Sequence, residues 1–431
     1  MTLTHAQSST WGGVTRTQLV RARIATFFGY FQIGVALNMW SSSTSSLQRS
    51  YGWIGSDGTV DALHFGMLTT AIGVGAVIGS FLTGPLADRY GPRMVIWPLL
   101  VLFPASFLPL ALTNSFVAAL VLGVAIGLVR GGLDTATGAL AIALERHYER
   151  PLMAGFQAIF PIGGFLGGWA SSGLIVLLGV HDSPLPLYAV EGLILAGIGA
   201  VVGGWVLRKD QILPADHQNH KLNSGRLQTS VVQKGLPALA CVLGGMLVLS
   251  MWVESSLWDW GQTFGVEVYG STTAAAAVAI SFFSLGEFAG RMISDRLVMR
   301  FGEVRVLLVS GLIGIFGALV LILGRGDLTL ASGMFLVGVG VASMAPVMLS
   351  SAGRLDPANA GRSIGIVTGI GYVAMLAGPL GMTVVVSAFG SISIPFVALA
   401  LLVLIVAFSP MVSKVLPAQR SAELALSESA R

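Results

Sequence analysis

The chain has 431 residues, of which 54% are hydrophobic and only 10% are charged, and its formal net charge is +4. A soluble domain is about one quarter charged, so this composition excludes an ordinary soluble enzyme and indicates a protein that crosses a membrane many times. The basic excess therefore does not indicate a nucleic-acid partner. The single cysteine, Cys241, excludes an internal disulfide and a metal site built from cysteines.

Twelve apolar stretches follow one another along the chain, each long enough to cross the roughly 30 Å hydrocarbon layer as a helix. The first begins after Arg21 and Arg23 and is too long for a signal-peptide core, so we expect an uncleaved helix. Glycine is abundant, at 56 residues, which suits close packing of membrane helices. The sequence predicts helices over residues 24–47, 62–87, 94–112, 116–144, 152–179, 185–207, 236–264, 273–294, 304–323, 328–351, 361–389 and 394–412.

One long polar stretch, 208–234, divides these predicted helices six and six. We therefore expect an all-α, polytopic membrane protein built from two pseudo-symmetric six-helix bundles. The predicted domains are a first bundle over 1–207, a cytoplasmic linker over 208–235, a second bundle over 236–412 and a cytoplasmic tail over 413–431.

The basic residues predict the orientation in the membrane. If the N-terminus lies inside, all 24 Lys and Arg residues except Arg49, Arg130 and Arg325 lie in the termini or in inner segments. Positively charged segments are retained in the cytoplasm. We therefore expect a multi-pass protein of the cell inner membrane with both termini in the cytoplasm.

The segment after the second predicted helix carries a pattern of glycines and charges, and a weaker copy follows the eighth. The copy, Met299-Arg300-Phe301-Gly302, lies 211 residues after Asp88-Arg89-Tyr90-Gly91. The full first pattern is Gly84-x-x-x-Asp88-Arg89-x-Gly91-x-Arg93. It resembles the loop between helices 2 and 3 of the major facilitator superfamily, and the twelve helices and their six-plus-six division agree with this resemblance.

The resemblance implies a secondary active transporter whose gate includes Gly84, Asp88, Arg89, Gly91 and Arg93. In the family, the loop acid caps a helix of the other half, here the helix starting near 361–363, as the dipole of a helix N-terminus favours. The alternative is a loop charge that only fixes topology. The sequence departs from the family at Pro92, where a basic residue is usual, and at Met299, which replaces the acid. Arg300 belongs to the weaker copy.

Arg130 and Asp134 lie near the middle of predicted helix 4, four residues apart and therefore on one face. Ionisable residues at this depth cost roughly 2.5–3.5 kcal/mol each, so they should face a wet cavity or each other. The resemblance places helix 4 at the central cavity. The alternative is a self-neutralising pair that only stabilises the helix. The 211-residue offset places Val341 and Ala345 at the corresponding positions of helix 10, so the charge is one-sided.

Predicted helix 7 carries two acids, Glu254 and Asp259, beside Trp258 and Trp260. A carboxylic acid in a partly dry site holds a proton more readily than one in water, which suits proton coupling. Glu254 is the deeper and first candidate, whereas Asp259 is either a coupling acid or a hydrated rim charge. The tryptophans either anchor the helix at the interface or stack on a substrate. This helix and the stretch from Asp134 to Phe165 resemble a bacterial inner-membrane group related to fucose permease.

Three further sets of polar residues lie inside predicted helices. Asn38 and Trp40, with the hydroxyls of 41–46, either face the cavity or bond to their own helix backbone. Glu287 and Arg291, four apart in helix 8, form either a structural pair or part of the gate. Glu191 in helix 6 is a lone acid for which we favour a structural role.

The sequence therefore predicts a transporter and not an enzyme, working by alternating access with a small-molecule substrate, protons and the lipid bilayer as partners. We expect proton-coupled symport of a polar, sugar- or polyol-like solute by a monomer. The alternative is a proton-coupled antiporter that exports a small amphipathic compound or drug, which the apolar helix 10 and the tryptophans favour. A receptor is disfavoured because neither the linker nor the tail can house a signalling domain. No cofactor is expected, because no Lys-Ser or Lys-Thr pair follows the glycine-rich patches to bind ATP. No metal is expected either, because we interpret the Asp216, His217 and His220 cluster of the polar stretch as a solvated loop.

Overall fold

The computed structural model describes residues 14–54, 61–148, 152–211, 236–355 and 360–414. Within these ranges twelve helices of spanning length, numbered here α1 to α12, follow one another. Several are interrupted, and both pieces are then given. They cover Arg16–Ser41 with Thr44–Ser50 (α1), Ala62–Tyr90 (α2), Pro92–Ala105 with Phe107–Leu112 (α3), Phe116–Tyr148 (α4), Met153–Leu178 (α5), Leu185–Leu187 with Tyr188–Gly192 and Leu193–Val202 (α6), Leu236–Glu267 (α7), Thr273–Phe301 (α8), Glu303–Leu323 (α9), Asp327–Ala342 with Met344–Leu355 (α10), Ala360–Gly371 with Ala374–Phe389 (α11) and Ile394–Phe408 (α12).

The prediction of an all-α fold with twelve spanning helices is confirmed. Among the described residues, eleven helices are long and apolar enough to cross a membrane, and α1 is the one left out. Its composition explains this, because it carries Gln32, Asn38 and Ser41, and 16 of its 26 residues are buried. Helix α1 is therefore packed inside the protein, where polar side chains have partners that lipid tails would not supply.

Local sequence signals set the helix ends. Helix α1 begins at Arg16 rather than near residue 24, because Thr15 and Gln18 form a capping box in which Gln18 Oε1 accepts from Thr15 N at 2.9 Å. Helices α2 and α8 end in the same way, at Gly91 with φ +88° and at Gly302 with φ +81°. The two copies of the 211-residue repeat thus share a glycine turn. Pro92 follows the first turn as the opening residue of α3, a position that suits proline.

Glycine-mediated contacts hold neighbouring helices together. A Cβ added to Gly75 or Gly79 of α2 would lie 2.0 or 2.1 Å from the carbonyl oxygens of Val124 and Leu128 in α4. No side chain fits at such distances, so these glycines allow backbone-to-backbone packing. Across the two halves, α5 packs against α8 and α2 packs against α11.

Five spanning helices are interrupted in the described chain. Helix α1 breaks at residues 42–43, α3 at Ser106, α10 at Ser343 and α11 at residues 372–373, while α6 contains the π-helix Tyr188–Gly192. The breaks of α1 and α11 lie beside the space between the bundles, where Trp40 and Ala374 line a common cavity. Interrupted helices leave backbone groups free for other partners, and transporters place them at binding sites.

The two ends of the molecule are chemically distinct. Arg21, Arg93 and Arg208 line one pocket and define the arginine-rich end. At the opposite end, Arg49 donates to the carbonyl of His181 at 3.3 Å and interacts electrostatically with Glu267 of the other half. The predicted linker is described only as far as Gln211, and the predicted tail only to residue 414, so most of both lies outside the described residues.

Candidate functional site

A cavity of about 140 Å³ lies between the two halves. Helices α1, α2, α3, α4 and α5 form its wall on one side, and α7 and α11 form the other. Its charged lining residues are Arg130, Glu254 and Asp259. Large aromatic side chains make up much of the remaining wall, namely Trp40, Phe107, Phe160 and Trp258.

Arg130 interacts electrostatically with two acids, one from each half of the protein. They are Asp134, one turn further along α4, and Asp259 of α7. Asp259 also accepts a hydrogen bond at 3.1 Å from Trp40 Nε1 of α1. Asp259 thus lies in the cavity wall, and its role as a coupling acid or a hydrated rim charge stays a prediction.

Asp134 has an exposed side chain. It interacts electrostatically with Tyr30 of α1 and with Tyr372, which lies at the break of α11. Because these tyrosines belong to opposite halves, Asp134 faces the space between the bundles and not the lipid. Neither tyrosine is marked in the sequence, since a lone tyrosine in an apolar helix gives no signal of its own.

Glu254 belongs to a second group of charges that the sequence did not join together. Arg291 of α8 lies within electrostatic range of Glu254 and also forms an ion pair with Glu287, with 2.8 Å between Arg291 Nη2 and Glu287 Oε1. Glu287 is fully buried, at 0% exposure. The Glu287–Arg291 pair is therefore connected to the cavity through Glu254 and is not an isolated brace within α8.

The tryptophans are interior residues. Trp258 is only 9% exposed, and its ring lies 6.4 Å from Phe160 of the other half and 6.0 Å from Phe283. Trp260 does not line the cavity, being fully buried with its ring 4.8 Å from Phe65. Interfacial anchoring therefore does not describe either residue, and Trp40 and Trp258 present parts of their rings to the cavity.

Hydrogen bonds from the break of α1 close the cavity toward the opposite end. Gln262 of α7 donates to the carbonyl of Ser42 and accepts from the backbone N–H of Ser45 at 2.8 Å and the hydroxyl of Thr44 at 3.2 Å. Ser41 donates to the carbonyl of Trp258. We call this set of contacts the α1–α7 clasp. The sequence pointed to the hydroxyl run but missed Gln262, because no local pattern marks its partner 217 residues away.

Asn38 does not line the cavity. It is buried, its Oδ1 accepts from Ser42 at 3.0 Å, and a Cβ added to Gly168 of α5 would lie 2.8 Å from that oxygen. A side chain packed this closely against a neighbouring helix has no room to meet a solute. The substrate contact considered for Asn38 therefore has no support from its position.

The loop pattern lies at the arginine-rich end. Three arginines stack over aromatic rings of their own segments, each with 5.3 Å from the guanidinium carbon to the ring centroid: Arg89 over Tyr90, Arg93 over Trp97 and Arg300 over Phe301. Lys209 donates at 2.9 Å to the carbonyl of Arg89, which caps the end of α2. Gly84 lies in α2 with open space beside it. The side chains of Asp88 and of residues 360–362 lie outside what the structure describes, so the proposed cap stays a prediction.

The family model for the Major Facilitator Superfamily matches residues 24–327 and 266–430. An uncharacterized transporter of Sinorhizobium fredii, y4wD, is 27% identical over 354 residues, covering 82% of this chain and 88% of that protein. An uncharacterized MFS-type transporter of Yersinia pestis is 26% identical over 402 residues, covering 90% and 95%. A crystal structure of a D-xylose–proton symporter matches 90% of this chain and 97% of its own with a TM-score of 0.72, at 14% identity.

Proposed function

Because the chain belongs to the major facilitator superfamily, we propose that it is a secondary active transporter that couples protons to the movement of one small polar solute. The observation that carries the proposal is the central cavity, which both halves line and which holds Arg130, Glu254 and Asp259. Charges at this depth are costly and are characteristic of solute and proton pathways. A cavity shared by two bundles is also where alternating access requires the solute to bind.

The size and walls of the cavity favour a solute with a single ring or a short polyol chain. A cavity of about 150 Å³ accommodates a benzene ring, and this one measures about 140 Å³. Trp40 and Trp258 offer flat apolar surfaces, while the carboxylates accept hydrogen bonds from hydroxyls. A sugar- or polyol-like solute presents both kinds of surface. The fold shared with a D-xylose–proton symporter is compatible with such a solute but is not the basis for proposing it.

The charges supply a basis for proton coupling. Arg130 is shared by Asp134 and Asp259, and Arg291 is shared by Glu254 and Glu287. Each group therefore has one more carboxylate than it has arginines. A proton on the surplus acid neutralises the group. If the proton binds more tightly in one conformation than in the other, its binding shifts the populations of the two conformations.

We also infer the conformational state. The α1–α7 clasp and the α5–α8 contact, where Ser172 donates to Ala274 at 3.0 Å, close the cavity at the opposite end. Asp134, which is nearer the arginine-rich end, has an exposed side chain. By the distribution of arginines that end faces the cytoplasm, so this is an inward-facing arrangement.

The proposal is tested with purified protein in liposomes that carry an imposed pH gradient. Candidate sugars, polyols and small aromatic acids are added outside, and accumulation is measured with the interior alkaline. We expect accumulation of at least one polar single-ring or polyol solute, abolished by a protonophore. Transport that persists unchanged without a pH gradient would contradict proton coupling.

The same assay tests the second function, proton-driven export of a small amphipathic cation. The surplus of carboxylates at the cavity favours this alternative, since it gives the empty site a negative charge. Export requires that an inward proton gradient deplete the solute, whereas symport accumulates it. The direction of net movement therefore decides between the two.

A further inference from the structure

A second pocket, of about 310 Å³, lies at the arginine-rich end, away from the central cavity. It forms where α1, the start of α3 and the segment after α6 meet. We call it the arginine pocket. Its described lining consists of three arginines, two glutamines and four small or apolar residues: Arg21, Arg93, Arg208, Gln18, Gln211, Gly204, Trp205, Val206 and Leu207. No acidic residue is among them, and Asp210, the nearest acid along the chain, does not line the pocket.

Packing between α3 and α6 builds this pocket and fixes Arg93 within it. Trp97 Nε1 donates to the carbonyl of Ala200 at 2.8 Å. The ring of Trp97 lies so close to Gly203 that a Cβ there would stand 2.2 Å from it. The guanidinium of Arg93 then stacks over Trp97, with 5.3 Å to the ring centroid, and reaches Gly204. Arg93 is therefore held in place before any ligand arrives.

The segment that carries Arg208 is anchored as well. Val206 and Leu207 are 2% and 1% exposed, and the backbone N–H of Arg208 donates to Gln211 Oε1 at 2.9 Å. Lys209, the next residue, is tied to the carbonyl of Arg89. These contacts hold Arg208 beside Arg21 and Arg93 despite the electrostatic repulsion between the three guanidinium groups.

Three guanidinium groups around one pocket, with no carboxylate among its lining residues, call for an anion. Guanidinium groups bind phosphate oxygens in a bidentate manner. The surroundings of the pocket indicate where that phosphate comes from. Val20 and Ile24, which flank Arg21 on α1, are 44% and 45% exposed, and Trp205 is of the residue type that lies at the level of lipid headgroups.

We propose that the arginine pocket binds phosphate, specifically the headgroup phosphate of an anionic phospholipid such as phosphatidylglycerol. Basic pockets between spanning helices are known to accept such headgroups. Here the acyl chains would lie along the exposed apolar side of α1, and the amides of Gln18 and Gln211 would meet the glycerol hydroxyls. Bound lipid would join α1, α3 and α6 at the end of the bundle that carries the loop pattern.

The test uses the full-length protein, stripped of lipid in detergent and then mixed with equal amounts of phosphatidylglycerol and phosphatidylcholine. Native mass spectrometry counts each bound lipid. The variant Arg21→Gln/Arg208→Gln removes two charges from the pocket, and Arg296→Gln/Arg305→Gln removes two exposed charges that do not line it. At about 1 kcal/mol per arginine near the membrane surface, the pocket variant should bind phosphatidylglycerol at least roughly tenfold more weakly, with the control unchanged.

Equal retention of phosphatidylglycerol by both double variants, or no preference for it over phosphatidylcholine in the wild type, would overturn the proposal. If the double variant does not fold, Arg208→Gln alone is compared with Arg296→Gln. A second measurement is the rise in thermal unfolding temperature on adding phosphatidylglycerol, set against inorganic phosphate. We expect the lipid to give the larger rise; an equal rise from phosphate alone would assign the pocket to free phosphate and reject the lipid.

Discussion

Arg130 and Arg291 each lie between two carboxylic acids, and in each case one acid lines the central cavity. For Arg130 that acid is Asp259, and for Arg291 it is Glu254. The partners further from the lining are Asp134, which faces the space between the halves, and Glu287, which is buried. This arrangement gives each arginine a choice of partner. When a proton or a solute occupies one acid, the arginine can pair with the other acid.

We expect Asp134→Asn to abolish proton-coupled uptake, because the Arg130 group then has one carboxylate for one arginine and loses the surplus acid that takes up the proton. The measurement is solute accumulation in liposomes under a pH gradient. The control, Asp182→Asn, removes the same charge from an exposed loop at the opposite end. Unimpaired uptake by the Asp134 variant would show that this carboxylate has only a structural role.

For Glu254→Gln we expect exchange of labelled for unlabelled solute to continue while its dependence on pH is lost. The amide keeps the size and hydrogen-bonding capacity of the side chain but cannot release a proton. Exchange rates are compared across the pH range with those of Glu267→Gln, a matched change on the same helix but away from the cavity. A pH profile that follows the wild type would move coupling to another acid.

At the scale of elements, the break in α1 is the feature with the clearest mechanical role. The helix stops at Ser41 and resumes at Thr44, and the backbone groups that this releases are bound by Gln262 of the other half. One side chain therefore satisfies groups that the helix itself leaves unpaired. Separation of the two halves at this end has to transfer those groups to water.

We expect Gln262→Ala to shift the protein toward opening at the opposite end, because unpaired buried backbone groups cost about 1–3 kcal/mol each. A shift of that size corresponds to roughly tenfold in population. It is measured as the labelling rate of a cysteine introduced by Ser255→Cys in a Cys241→Ser background, using a membrane-impermeant maleimide from outside.

The control for this experiment is Ser332→Ala, whose hydroxyl donates to the carbonyl of Thr329 in its own helix. That change leaves the clasp intact and should leave the labelling rate unchanged. If the Gln262 and Ser332 variants label at the same rate, the clasp does not hold this end closed.

At the scale of the whole molecule, the two halves meet through α1 with α7, α2 with α11 and α5 with α8. Among the hydrogen bonds between α1 and α7 in the described residues, the one from Gln48 Nε2 to Thr263 Oγ1, at 3.0 Å, lies furthest along α1. In the proposed alternating-access cycle, rocking of the halves has to break this hydrogen bond each time. A covalent link at this point should therefore arrest the cycle with the cavity accessible from the arginine-rich end only.

This is tested with Gln48→Cys/Thr263→Cys in a Cys241→Ser background, joined by a short bifunctional reagent. We expect the cross-linked protein to lose net transport and the untreated double variant to retain it. A cleavable reagent serves as the internal control, because cutting the link should restore activity. Full transport with the link in place would show that this end does not open.

The sequence predicted the number of helices and the bundle architecture because the length and apolarity of each span are local properties. It also predicted Arg130, Asp134 and Glu254 as costly charges, for the same reason. It could not predict that Arg291 lies near Glu254 or that Gln262 binds the break of α1. Those contacts depend on how two distant helices are placed, and no periodicity within either helix records it. Asn38 is the opposite case. Its polarity made it a candidate cavity residue, but its packing against α5 keeps it away from the cavity.

In the proposed proton-coupled cycle, the sharing of each arginine by two acids has an electrical consequence. With one proton on each group and a neutral solute bound, the moving site carries no net charge, so membrane voltage does not act on the loaded step. After protons and solute leave, the site carries two negative charges. A membrane potential that is negative inside then favours the return of the empty, negatively charged site to the outside. The free-energy change is about 2.3 kcal/mol for each charge that crosses 100 mV. The membrane voltage would therefore change the rate at which the empty carrier returns, but not the rate of the solute-loaded step.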